Sequence, residues 1–269
     1  MRRTTSTSPS IAAPRVSADT GTVSRIALLL RLISKQSGSF NLKDIATEAG
    51  LPVPTVYRLL DLLAKEGLVA QDGARRGYRI GSELYRIGSL VKVNTPIARM
   101  IESILAQAVA EVDETCHFAQ YLPAQLAVMF DARVDCSHPL DFRWEVYKPR
   151  TLLWGASGRT ILAYLPEDTV DQALTAEAAA SPSRLPERAE LDQALAAIRR
   201  LGYGFTESQR VAGAVSIMAP VFDAGDKIYG ALGFVMPEQR FSPDRLEVLV
   251  DTAKKCASQV SIAMGATIR

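Results

Sequence analysis

A hydroxyl, a phenol and a guanidinium stand close together in GLPVPTVYRLLDLLAKEGLV, residues 50–69. Val56, Leu59, Leu60 and Leu63 recur at i, i+3, i+4 and i+7, the buried stripe of an amphipathic helix. Thr55, Tyr57, Arg58, Asp61 and Lys65 are left for the opposite face. Groups of these types on one exposed helix suit the edges of DNA bases: a guanidinium donates two hydrogen bonds to guanine or holds a phosphate, and hydroxyls serve either. Pro54 fits a first turn, where a missing N–H costs little. Upstream, Asn41 is expected to cap a short helix, with Asp44 three residues on and Leu42, Ile45, Ala46 and Ala49 as its apolar stripe. Gly50-Leu51-Pro52 is a tight break between the two. Helix, short turn, helix is the pattern whose second helix lies in a major groove.

Two other groupings were weighed for chemistry. Cys116-His117 and Cys136-x-His138 lie on either side of an expected hairpin, and four soft ligands could hold zinc. Adjacent strand residues point to opposite faces, however, so Cys116 and His117 do not readily share a metal, and Cys-x-x-Cys spacing is missing. No metal and no cofactor is expected. Gly155-Ala156-Ser157-Gly158 resembles a nucleophile elbow only superficially, because Arg159 breaks the glycine frame. With two histidines as bases, no P-loop and no Gly-x-Gly-x-x-Gly after a strand, the chain is not expected to be an enzyme.

The elements that must position the reading helix follow from length, charge and pattern. A chain of 269 residues, 48% of them apolar, suggests two domains with real cores, and no apolar run approaches a membrane span. Residues 1–21 are rich in Ser, Thr and Pro, carry Arg2, Arg3 and Arg15, and read as a disordered basic arm. Three cysteines without framework spacing favour reduced thiols in a cytoplasm. Through residue 95 there are 14 Lys and Arg against 7 Asp and Glu; the remainder holds 17 against 22. A basic first third on an acidic remainder suggests a polyanion-binding module joined to one with another task.

Residues 22–37 are expected to form a first helix with Ile26, Leu29, Leu30 and Ile33 on one face, ended by Gly38. Residues 68–71 and 77–80 read as strands around Asp72-Gly73-Ala74-Arg75-Arg76, a wing whose Arg75, Arg76 and Arg79 would lie on phosphates or in a minor groove. A connecting helix over 82–93 carries Leu84, Ile87, Gly88 and Val91 on one side, and Asn94-Thr95-Pro96 marks the domain boundary. A helix over 97–112 follows. Next come strands at 116–122 and 126–134, a strand turning to helix over 150–163, a helix over 187–201 and a hairpin of 215–222 with 227–235. Last is a helix over 243–264 capped by Ser242. Hairpins flanked by helices describe an α+β domain with an antiparallel sheet.

SRIALLLRLISKQSGSFNLKDIATEAGLPVPTVYRLLDLLAKEGLV, YRIGSEL, GASGRTILAYLPED, LGYGFTESQ and GAVSIMAPVFDAGDKIYGALGF, in that order and spacing, are similar to segments of the IclR family of bacterial transcription regulators. The resemblance covers nearly the whole chain after the first twenty residues. It implies a winged helix-turn-helix over 22–81, a linker helix over 82–95 and a GAF-like effector-binding domain over 96–269. It also implies a homodimer or pair of dimers on a double-stranded DNA operator, with no membrane partner. Carried over by that resemblance, Pro54, Thr55, Tyr57 and Arg58 read DNA. Val53 stands where the family often has a polar or basic residue and Pro54 where it often has serine, so base preference does not transfer. The implied effector contacts are Ala156, Ser157, Gly158, Thr206, Ser216, Gly233 and Val235, with Leu152, Leu153 and Trp154 near them. Small hydroxyls and apolar walls there suggest an aromatic or apolar acid as effector. The competing reading is an effector-binding module whose basic head serves dimerisation or protein contact.

Overall fold

The computed structural model describes residues 21–36, 38–72, 77–93, 96–142, 144–181 and 185–267. The chain divides into two compact units, with the division between residues 95 and 96.

The first unit holds α1 (Thr22–Ile33), α2 (Leu42–Ala49), α3 (Val53–Lys65), the hairpin β1 (Val69–Asp72) and β2 (Gly77–Ile80), and α4 (Ser82–Val93). Its core gathers Leu28, Leu29, Leu32 and Ile33 from α1, Ile45, Ala46 and Ala49 from α2, and Val56, Leu59, Leu60 and Leu63 from α3. Asn41 caps α2 by accepting the Asp44 N–H at 2.9 Å. Gly50 takes the left-handed turn that separates α2 from α3, with φ +63°. α3 begins at Val53, one residue before the expected start, with Pro54 inside its first turn. Phe40 exchanges two backbone hydrogen bonds with Tyr78, each 2.8 Å, so a third short segment braces the hairpin.

α1 corrects the reading of its own pattern. It stops at Ile33, not at residue 37, and Gly38 lies beyond its end. The buried stripe is Leu28, Leu29, Leu32 and Ile33, while Ile26 and Leu30 pack at its edge. Three consecutive leucines leave the phase of an amphipathic helix ambiguous, and packing settles it. α4 spans the expected residues, but beyond Leu84, which packs on the core, Tyr85, Ile87, Leu90 and Val91 are exposed.

The second unit is one antiparallel sheet of six strands in the order β5-β4-β3-β8-β7-β6. The strands are β3 (Cys116–Leu122), β4 (Ala127–Val134), β5 (Pro149–Thr151), β6 (Gly204–Glu207), β7 (Ala214–Phe222) and β8 (Ile228–Pro237). On one face lie α5 (Pro96–Val112) and α9 (Leu246–Ala263), packed on Cys116, Phe118, Ile217, Leu232 and Phe234. On the other lie α6 (Gly155–Leu162), α7 (Glu167–Ala180) and α8 (Arg188–Leu201), with Val128, Phe130, Met218, Ala231 and Val235 beneath them. α7 has no counterpart in the sequence reading. Ser242 makes no side-chain cap: a short 3-10 turn, Pro243–Arg245, precedes α9.

Glu114, just after α5, is fully buried at 0% exposure, yet charged groups surround it. Arg240, after β8, donates to its carboxylate at 2.6 and 2.9 Å, and Arg245, leading into α9, at 2.8 Å. Arg245 also donates to the Val112 carbonyl at 2.7 Å, so one buried anion ties the ends of three elements. Removing one partner of a buried ion pair leaves uncompensated charge. Arg240→Ala is therefore expected to cost about 3 kcal/mol, read as a lowered urea midpoint with unchanged m-value.

Candidate DNA-reading face and effector chamber

The four apolar residues that bury α3 leave its other side bare. Val53, Pro54, Tyr57 and Arg58 are exposed, Tyr57 at 53%, and Thr55 is half-buried between them. Asp61, the acid within reach of Arg58 along the helix, pairs instead with Lys65 at 2.9 Å. Arg58 makes no ion pair among the described residues. Arg79 is exposed on β2. Arg75 and Arg76 lie outside the described residues. The face thus presents a phenol and a guanidinium one residue apart, which is the chemistry that base edges and phosphates accept.

In the second unit, five of the eight residues expected around an effector line one small cavity: Ala156, Ser157, Thr206, Ser216 and Val235. Thr206, Ser216 and Val235 are register partners across β6, β7 and β8, so they form a row on one face of the sheet. The first turn of α6 closes over that row. Gly155 donates its N–H to the Gln209 side-chain carbonyl at 2.7 Å, and Arg210 donates to the carbonyls of Thr151 at 2.8 Å and Trp154 at 2.6 Å. A helix N-terminus, a guanidinium and three hydroxyls therefore border one cavity, and their charge and dipoles favour an anion there.

Three expected residues do not line the cavity. Gly158 lies within α6, on the side where a Cβ would meet the Leu152 carbonyl oxygen at 2.6 Å. Gly233 lies in the sheet, where a Cβ would meet the Ile217 carbonyl oxygen at 2.0 Å. Both glycines serve close backbone approach. Trp154 gives its carbonyl to Arg210, and its ring lies 5.5 Å from the Arg159 guanidinium. In their place stand Phe130, Trp144, Gly155, Gln209, Arg210, Val211 and Ala214. Gln209 was in sight at the end of LGYGFTESQ; nothing local marks Phe130 or Trp144.

The free volume is about 20 Å³, room for about one water. A larger cavity of about 630 Å³, lined by Tyr164, Phe222, Lys254 and Ser258 among others, lies where α8 ends at Gly202.

His117, next to the small cavity's wall, is fully buried, and its ring lies 5.0 Å from that of Phe130. Burial holds the imidazole neutral and pulls its pKa down to about 3, with the Arg133 guanidinium acting in the same direction. Cys116 faces the other side of the sheet, in the core under α5 and α9. Among the described residues no three metal-ligating side chains come together. No helix of the described residues is long and apolar enough to cross a membrane.

Comparison with known proteins bears on both sites. Residues 90–262 match the family model for the C-terminal part of the bacterial transcriptional regulator IclR, and residues 22–73 match the IclR helix-turn-helix domain. The chain is similar to the transcriptional repressor IclR of Escherichia coli K12, 25% identical over 259 residues that cover 96% of this chain and 94% of that one. It is similar to the glycerol operon regulatory protein of Streptomyces griseus, 28% identical over 250 residues, 90% of this chain and 95% of the other. A crystal structure of an IclR transcriptional regulator from Silicibacter superposes with a TM-score of 0.81 at 25% identity, covering 93% of this chain and 98% of that one. An IclR homologue from Microbacterium hydrocarbonoxydans, crystallised with 4-hydroxybenzoate, shares the fold at a TM-score of 0.72 and 18% identity, covering 92% and 100%.

The buried imidazole sets a pH dependence. The unfolded chain takes up a proton on His117 near its ordinary pKa of 6.5, and the folded protein resists it down to about 3. This contribution is fully present above 6.5 and is lost as pH falls through that window, at about 1.4 kcal/mol per pH unit. Subtracting the urea-unfolding profile of His117→Phe from that of the wild type should isolate this slope. A flat difference between pH 6.5 and 4 would contradict it.

Proposed function

This chain belongs to the IclR family of bacterial transcriptional regulators, and we propose that it reads a two-fold symmetric operator as a dimer or pair of dimers, switched by a planar organic acid. It is a regulator with a helix-turn-helix DNA-binding domain, and its relatives are regulators, not enzymes. The observation that carries the DNA reading is the bare face of α3, where Val53, Pro54, Thr55, Tyr57 and Arg58 surround no core contact and Arg58 keeps its charge for a partner. Arg75, Arg76 and Arg79 at the wing would hold backbone, and the arm with Arg2, Arg3 and Arg15 would add salt-sensitive attraction. One winged head offers few base contacts, so two heads would read two half-sites. The exposed Tyr85, Ile87, Leu90 and Val91 of α4 support that dimer: four large apolar side chains on one linker helix favour burial against a second copy. Such a regulator works where the chromosome is, in the cytoplasm.

Convergence of the α6 N-terminus, Arg210, Ser157, Thr206 and Ser216 supports a carboxylate in the small cavity, and Phe130 and Trp144 beside Val235 support a flat apolar body. The homologue crystallised with 4-hydroxybenzoate has the same fold and favours the same ligand class. To act as a switch, the acid would bind one arrangement of the protein better than another, with a coupling of about 1–3 kcal/mol, and the helix over 82–93 is the connection through which the heads would respond. The alternative, a head that serves only protein contact, gives no role to the excess of cations in the first third of the chain.

Two measurements test this reading. Arg58→Ala should weaken binding to a duplex selected from a random library by about 10- to 100-fold at physiological salt, with sedimentation behaviour and acid binding preserved; an unchanged footprint would refute the role of α3. In thermal-shift screening, benzoate and 4-hydroxybenzoate should raise the melting temperature, by about 2.7 kcal/mol of stability at 100 times Kd. Stabilisation by short keto acids alone would refute the planar-acid chamber.

A further inference from the structure

Beside the chamber, on the side away from the α6 N-terminus, lie buried polar atoms without a well-formed hydrogen bond among the described residues. Neither ring nitrogen of His117 has a hydrogen-bond partner of good geometry among the described residues, the Thr115 backbone giving only a weak contact, and the Trp144 indole N–H has none. All three atoms are buried. A buried donor or acceptor left unmade costs about 1–3 kcal/mol, so natural proteins rarely keep several in one place without a use for them.

Their placement points to the chamber. Cys116 and Phe118 face the core under α5 and α9, so His117, between them on β3, faces the α6 side. Its register partner on β8 is Gly233, which has no side chain to cover it. Val235, two residues along the same face of β8, lines the cavity. Phe130 and Trp144 line it as well, and ring contacts link them to the imidazole: His117 to Phe130 is 5.0 Å, Phe130 to Trp144 is 6.2 Å. From the strand of Ser216 to the strand of His117 is two inter-strand steps, roughly 10 Å. That is about the reach of a single ring with a hydrogen-bonding group at each end.

We propose that His117, with the Trp144 indole N–H, forms the distal polar end of the effector chamber and selects planar acids that carry a hydroxyl remote from the carboxylate. The inference rests on the chamber reading given under Proposed function. The imidazole is well suited to this task. Held neutral by burial, it offers one N–H donor and one lone pair, so it can pair with a hydroxyl in either sense. An acid lacking the hydroxyl would leave it buried and unpaired, which is how a site built for hydrogen bonding rejects an analogue. With about 20 Å³ of free volume the chamber is closed, so Phe130 and Trp144 must shift for such an acid to enter, and that shift uncovers His117.

The test uses 4-hydroxybenzoate and benzoate on the untagged 269-residue chain, which has two histidines, His117 and His138. Titration calorimetry at pH 7 should give about tenfold tighter binding for 4-hydroxybenzoate. With histidine labelled in the ring nitrogens, 4-hydroxybenzoate should move the His117 nitrogen resonances and benzoate should leave them in place. His117→Phe should bring the affinities of the two acids together, chiefly by weakening the hydroxylated one. The resonance measurement needs no variant, so a poorly folded His117→Phe does not remove the test. Equal affinities with unmoved His117 signals would overturn the proposal and leave the chamber reading standing. If neither acid binds the wild type at millimolar concentration, the chamber reading falls and this inference falls with it.

Discussion

A methyl group on Gly158 would sit 2.6 Å from the carbonyl oxygen of Leu152, and one on Gly204 would sit 2.3 Å from the Thr160 hydroxyl. Those two distances express the constraint on which the second unit depends: α6 is pressed against its entering strand and the sheet edge as closely as backbone allows. Only at that distance does its first turn reach over the row of Thr206, Ser216 and Val235. Arg210 and Gln209 hold the turn from the other side through the carbonyls of Thr151 and Trp154 and the N–H of Gly155. The chamber is therefore a product of small residues beneath the helix and long polar ones beside it. A glycine placed for close approach reads in a sequence like one placed for ligand contact, which is why Gly158 and Gly233 stood among the expected contacts.

The two faces of the sheet do different work. Under α5 and α9 the packing is almost wholly apolar, and at its end the buried Glu114 carboxylate is met by two guanidinium groups. Facing α6, polar atoms are buried without a well-formed hydrogen bond among the described residues: both nitrogens of His117, the Trp144 N–H and the Arg150 Nε. Local rules that hold on one face are broken on the other, and such breaks concentrate at functional sites. Both faces carry an apolar core, and the second carries the unsatisfied groups within it.

What could be read from the sequence follows the range of the interactions involved. α3, α4 and α8 were legible because their apolar residues repeat with helical period over ten or more positions, and the wing because Asp-Gly marks a hairpin. α7 was not, since Glu167–Ala180 buries only Val170 and Ala173 and its alanines give propensity without a stripe. The Asn41 cap was visible in four residues; the absence of a cap at Ser242 was not, because the following 3-10 turn takes over that end of the helix. Resemblance of the segment order located five cavity residues. Phe130, Trp144 and Arg210 escaped because strand register and a long connection bring them together, and neither is written in local spacing.

The parts of the chamber differ in what it would cost to move them. Its floor is four paired strands whose hydrogen bonds and packing on α5 and α9 would be lost together. Its roof is the tightly seated first turn of α6. Trp144, by contrast, belongs to the connection between β4 and β5, which holds no helix or strand among the described residues. It is kept in place by the Arg133 guanidinium donating to its carbonyl at 3.0 Å, by the ring of Phe130 and by Arg150 at 4.8 Å. One hydrogen bond and two ring contacts contribute a few kcal/mol, and the packing of the ring on the apolar cluster under α6 adds to them. A closed cavity of about 20 Å³ is thus compatible with an organic effector, because the wall that must yield is the cheapest to displace.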